Sequence, residues 1–207
     1  MPVKLFIRDL NRARRSLGAL AADTRGAAAV EFAFLLPLLT LMLLGTMELG
    51  RAINMDREFT MATGMTGDLV AREQFLGTSS TDAKNTLDSM MASIQHIMQP
   101  YDSSSLALGI FSVQASATNA SDTRVVWSYS WNGKTVPSKC ATYALPSGML
   151  AKGGSTVVVE SSFLFKPLFV NVIPGLSTMT WTDKSYHSPR NSCVDYVKGD
   201  NCSSLSC

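Results

Sequence analysis

The chain has 207 residues, a formal net charge of +2 and only 16% charged residues, room for one ordinary domain and a shorter extra segment. So weak and balanced a charge excludes a nucleic-acid partner, whose recognition needs a concentrated basic face. No GxSxG, HExxH, phosphate-binding loop or dinucleotide fingerprint occurs, so the chain is read as no enzyme, with no cofactor and no metal.

Residues 1–26 form a basic leader, holding Lys4, Arg8, Arg12, Arg14, Arg15 and Arg25 against only Asp9 and Asp23. From Ala27 to Met47 the only charge is Glu31. A helix of about 21 residues rises about 30 Å, the thickness of one hydrocarbon core, and a transmembrane helix is expected over 27–49. The Lys/Arg-rich flank stays in the cytoplasm, which puts 50–207 across the membrane in the periplasm. A cleaved secretory signal is the competing reading. The apolar run is too long for its core region, and the exit "LLGTMELGRAI" offers no small-x-small site. Glu48 and Arg51, three apart at that exit, read as an interfacial ion pair of little worth.

Helical periodicity continues beyond the span. Met55, Phe59, Ala62, Met65 and Leu69 recur at spacings of three and four, predicting a helix over about 52–76. A second helix is expected over about 80–99, opened by Ser79 and Asp82 as a capping box and stopped by Pro100, with Leu87, Met90, Met91, Ile94, Ile97 and Met98 as its apolar stripe. His96 falls on its polar side. The period then changes to two, predicting strands from about 106 to 186. Leu106, Leu108 and Ile110 slip in phase to Phe111, Val113 and Ala115, as a bulge near Gly109 would produce. Val125, Trp127, Tyr129 and Trp131 alternate into the hairpin signal Asn132–Gly133. Another strand runs from Thr156 to Phe165 after "KGGS", with Glu160 pointing outward, and a last one from about Ser177 to Tyr186. Between them "KPLFVNVIPG", bracketed by Pro167 and Pro174, reads as a loop or short edge piece. His187 opens a tail, 187–207. Helices first and strands after give an α+β class, a transmembrane helix running into a helical segment and an antiparallel sheet.

All four cysteines, Cys140, Cys193, Cys202 and Cys207, follow the span, where an oxidising compartment favours two disulfides. Of the three pairings, Cys140–Cys193 with Cys202–Cys207 is preferred, because "CSSLSC" closes a small loop on itself. No CxxC pair supports a metal site.

There remains the lone carboxylate. A charge inside a membrane helix costs about 3 kcal/mol even on the mildest scales, unless its side chain snorkels to the headgroups. Glu31 follows Gly26 by five residues, with small or apolar residues between and an unbroken apolar helix behind. This spacing resembles the processing site of type IV prepilins. The longer stretch "RGAAAVEFAFLLPLLTLMLLGTMELGRAI" resembles the N-terminus of TadE-like minor pilins (pseudopilins) of the tight-adherence (Tad/Flp) pilus system. The C-terminal "FLFKPLFVNVIPG…SYHSPR" carries a weaker likeness, and the large part beyond the helix separates the chain from the much shorter Flp pilins. The resemblance implies a pilin-like fold and a cut between Gly26 and Ala27 by a prepilin peptidase. It implies that Arg25 is the basic residue before the cut, that Ala27 becomes the first mature residue, and that Glu31 and Phe32 serve assembly and recognition. It further implies other minor pilins, Flp pilin and the inner-membrane assembly platform as partners, a bacterial inner-membrane location, and power from a separate ATPase. The alternative is an uncleaved, signal-anchored periplasmic binding or scaffold protein of the cell envelope.

Overall fold

A computed structural model describes residues 26–173 and 175–200. The chain divides into two units, 1–47 and 48–207. A single helix, α1, Ala27–Arg72, opens in the first and ends in the second.

In the first unit, α1 is apolar on every side and almost wholly exposed: Phe32, Phe34, Leu36, Leu38 and Met42 cover no core. A helix apolar all round is stable only when something apolar surrounds it. Among the described residues it is the one helix long and apolar enough to cross a membrane. Its two hydroxyls are spent internally, Thr40 Oγ1 donating to Leu36 O and Thr46 Oγ1 to Leu43 O, both at 2.8 Å. Pro37 sits inside the helix, a substitution that membrane helices tolerate.

The second unit is α+β. After α1 come β1 (Phe75–Gly77), α2 (Ser80–Ile97), β2 (Ala107–Ala115), β3 (Thr123–Trp131), β4 (Ser155–Phe165), β5 (Met179–His187) and β6 (Asp195–Val197). Strands β2 to β5 make an antiparallel sheet in the order β3-β2-β4-β5, while β1 and β6 pair in parallel. Helix α2 starts where Ser79 accepts a bond from the Asp82 N–H at 3.1 Å. Asp82 in return accepts from Thr78 N–H at 2.8 Å, so the reciprocal arm of the cap reaches one residue further back than the usual box.

The sheet is covered on both faces, which explains the apolar run "TVVV" in β4. One face carries Val157, Val159, Phe163 and Phe165 of β4 with Leu108, Ile110, Trp127 and Tyr129, packed against Met55, Phe59, Leu87 and Met91 of the helices. The other carries Phe111, Val113, Val125 and Val158 beneath Val136, Tyr143 and Leu145. Strand β2 therefore has no phase slip at Gly109: both of its faces are buried, and the change from Leu108/Ile110 to Phe111/Val113 marks two cores. The irregularity lies opposite, where Ser112 pairs Trp127 and Val113 pairs Val125, leaving Val126 of β3 as the extra residue. That bulge turns Val125 to the far core while Trp127 and Tyr129 face the helices. The Asn132–Gly133 turn forms at the end of β3, with φ of 52° and 74°. Its return arm regains β3 only at the bridge Arg124↔Thr142, after Pro137, which has no N–H to offer a ladder.

The buried stripe of α1 also departs from expectation. Met65 is exposed and Leu69 half-buried, while Thr63, Thr66, Gly67 and Val70 are buried. Small residues permit a close approach to the sheet. Thr63 Oγ1 donates to Phe59 O at 3.0 Å and lies 2.7 Å from Ser161 Oγ. At Gly67 a Cβ would lie 2.1 Å from His187 Cδ2. Gly67→Ala is therefore expected to cost about 1–3 kcal/mol by overpacking, measured by denaturant unfolding, with His187→Ala in the same chain recovering most of it. The His187 Nε2 is buried and has no partner among the described residues. Burial lowers its pKa below the usual 6.5, against a smaller opposing effect of Asp68. The unfolded chain thus takes the proton first, so stability falls as pH drops below about 6.5; His187→Leu is expected to flatten that decline in unfolding curves taken between pH 7.5 and 5.5.

Candidate functional site

Two features stand at the two ends of the apolar stretch. The first is the head of α1. Gly26 is exposed, a Cβ there would meet nothing within 4 Å, and the helix proper begins at Ala27. Glu31 and Phe32 follow one turn on, both exposed. Among the described residues nothing pairs with the Glu31 carboxylate. The first turn of α1 contains no acidic residue, so its free N–H groups and positive dipole end are unneutralised by their own turn. Arg25 lies outside the described residues.

The second feature was not anticipated. Glu48, the first residue of the second unit, is buried, only 4% exposed. Its Oε1 lies 2.9 Å from Arg51 Nη1, and both carboxylate oxygens accept from the Leu168 N–H at 3.2 Å. Arg51 Nη1 also donates to Lys166 O at 3.2 Å, and its guanidinium sits 5.5 Å over the Phe165 ring, which stacks on Trp181 at 4.6 Å. The pair expected to be a weak surface contact is a clamp: it holds the chain leaving β4 against the first turn of the second unit. A buried carboxylate retains its charge only when paired and hydrogen-bonded in this way. The sequence signal was present in Glu48 and Arg51 at i,i+3, but their partners lie some 115–120 residues away.

Elsewhere, Glu160 is not free on an outward face. It accepts from Tyr143 OH at 2.7 Å and pairs with Lys184 Nζ at 2.7 Å. Burial raises its carboxyl pKa, but these two hydrogen bonds together prevail and hold it below the ordinary carboxylate range. These contacts tie the cover segment to β4 and β5. His96 faces Gln99 at the end of α2, its Nδ1 3.3 Å from Gln99 Nε2. Neither Cys140 nor Cys193 is a free thiol; Cys202 and Cys207 lie outside the described residues. No group of three or more His, Cys, Asp or Glu able to hold a metal occurs among the described residues.

Residues 26–66 match the family described as TadE-like protein. The match opens on Gly26, takes in Glu31, Phe32 and the Glu48–Arg51 pair, and ends within the outer turns of α1, ahead of the sheet. No curated protein and no solved structure matches the chain.

Glu48→Ala removes the ion pair and both acceptors of the Leu168 N–H. It is expected to destabilise the second unit by about 2 kcal/mol and to speed amide hydrogen exchange selectively over 166–173, read by mass spectrometry.

Proposed function

From the premise that the helical head of this chain is TadE-like, we propose that it is a pseudopilin of the Tad pilus system, processed by a prepilin peptidase and acting in assembly and secretion of a Flp-type adhesive pilus. The observation that carries this reading is Gly26–Glu31: an exposed glycine and a carboxylate without a partner among the described residues, at the start of a lipid-length apolar helix, inside the family match.

The physical chemistry is one of assembly. Hydrolysis of the Gly26–Ala27 peptide leaves an α-ammonium at the first turn of α1, which already carries the positive end of the helix dipole. That charge and the Glu31 carboxylate are both costly in lipid. Each is the partner the other lacks, provided the two come from neighbouring chains. Pairing between an incoming subunit's Glu31 and a neighbour's new amine offsets both desolvation costs and sets the axial register of the helices, the best-attested use of a buried pair. Phe32 and the following apolar residues then pack side by side with other minor pilins and the Flp pilin. The sheet unit lies in the periplasm, with the leader in the cytoplasm, and meets partner pilins or the inner-membrane platform. The cysteines belong to that oxidising side.

Intact mass of the non-reduced protein from cells that contain the peptidase tests both points. The expected species begins at Ala27 and gains about two daltons per disulfide on reduction. Retention of the first 26 residues overturns the processing, and an unchanged mass on reduction overturns the disulfides. Glu31→Ala is expected to be inserted and cut as before but to leave cells with few pili by electron microscopy. Normal piliation in that variant leaves Glu31 a snorkelling side chain and nothing more.

A further inference from the structure

The segment between β4 and β5 is the most apolar exposed piece of the second unit. Leu168 is 67% and Val172 54% exposed, with Phe169, Val170 and Ile173 half-buried beside them. It is not loose. Val172 and Ile173 both donate their N–H to Phe169 O, at 2.9 and 3.0 Å, closing one helical turn. The clamp described above fixes its start: Leu168 N–H on Glu48, and Lys166 O on Arg51. A protein stabilises an exposed apolar turn in this manner when something apolar covers it.

Chain connectivity says what covers it. Glu48 is bonded directly to Met47, the last residue of the apolar run, so it sits within about 4 Å of wherever that run leaves the hydrocarbon. The polar interfacial layer of a bilayer is about 6 Å deep on each side. A backbone amide hydrogen-bonded to Glu48 is therefore inside or beside that layer. Leu49 and Ile53, the next exposed apolar residues of α1, are 61% and 46% exposed at this same end. Met179, paired with Phe165 across the sheet, is 43% exposed. Lys166 is exposed beside the turn, where an ammonium meets lipid phosphates. The pattern of apolar tips, a half-buried aromatic and one cation at one level is that of an interfacial anchor.

We propose that residues 166–173 are a second membrane contact, inserting Leu168 and Val172 into the interface of the leaflet on the C-terminal side of the span. The turn and the helix then hold the second unit to the bilayer at two points, fixing its orientation as a single helical tether cannot. Extraction of the chain into a filament must pull this turn out of lipid, so the anchor opposes premature release. The inference rests on reading 27–47 as a membrane span.

The test is photocrosslinking of the full chain in vesicles of phosphatidylethanolamine and phosphatidylglycerol, with p-benzoylphenylalanine placed singly at 38, 168, 172 or 149. The substituted side chains are exposed, and the clamp uses only the backbone N–H of residue 168, so the fold is preserved. Position 149 lines a cleft with Thr123 and Thr142, at the end of the sheet away from Phe165. Expected are lipid adducts at 168 and 172 within about threefold of those at 38 and about tenfold above those at 149. Adducts at 38 alone overturn the anchor and leave the span intact. Adducts at none of the positions overturn the span and the anchor with it. Crosslinks from 168 or 172 to a second copy of the chain, or equal labelling at 149, also overturn the anchor.

Discussion

The second unit depends on one contact: the outer half of α1 lying on β4. Phe59 meets Phe163 with ring centroids 5.9 Å apart, and a turn further on Thr63 stands against Ser161. Another turn on, Gly67 lets the His187 ring in. These residues descend in size along the helix, from phenylalanine through threonine to glycine. The other side of that core is closed by α2, whose Leu87, Met91 and Ile94 are fully buried. Without this seat, α1 beyond residue 47 has only a broken apolar stripe to recommend it as a helix, with Gly50, Gly64 and Gly67 against it.

Several polar groups inside this packing bond to backbone partners, while Ser112 Oγ, Gln114 Oε1 and His187 Nε2 find none among the described residues. Thr66 Oγ1 bonds Ala62 O at 2.7 Å and Trp127 Nε1 bonds Val194 O at 2.7 Å. The latter brings the residues before β6 onto the core, and β6 in turn pairs with β1 just beyond α1. The tail is thereby tied to the turn that joins the two helices, and a buried tryptophan N–H is satisfied in the same bond. Glu48 follows the same logic with a charge. Its carboxylate is fully engaged by Arg51 and the Leu168 amide, so the exit from β4 and the first turn of the unit behave as one piece.

The contrast with Glu31 supports the assembly reading. The two carboxylates sit at opposite ends of one apolar run. One is buried and satisfied within its own chain, while the other is exposed without a partner among the described residues. A carboxylate left without a partner on an apolar helix is a group that a neighbouring chain can satisfy. That asymmetry, together with the TadE-like match over 26–66, is what favours an assembly role over a binding module whose chemistry would lie in the sheet.

The class of fold and the span were legible because they depend on periodicity and composition: an apolar run of lipid length, a 3.6-residue stripe with a cap at Ser79, and a two-residue alternation around Trp127. The start of α1 was equally legible, since the apolar run begins at Ala27. What sequence alone could not decide were matters of pairing across long separations. Phase changes in β2 looked like a bulge because one strand cannot reveal that both of its faces have covers. Met65 and Leu69 looked like core because period alone does not say how close the facing sheet comes, and a close approach selects Thr63, Thr66 and Gly67 instead. Glu48 and Arg51 looked like a surface pair because the amide and carbonyl that bury them arrive from the far side of β4. Local spacing determines which elements form; only tertiary packing determines which of their polar groups lose water, and with it which of them matter.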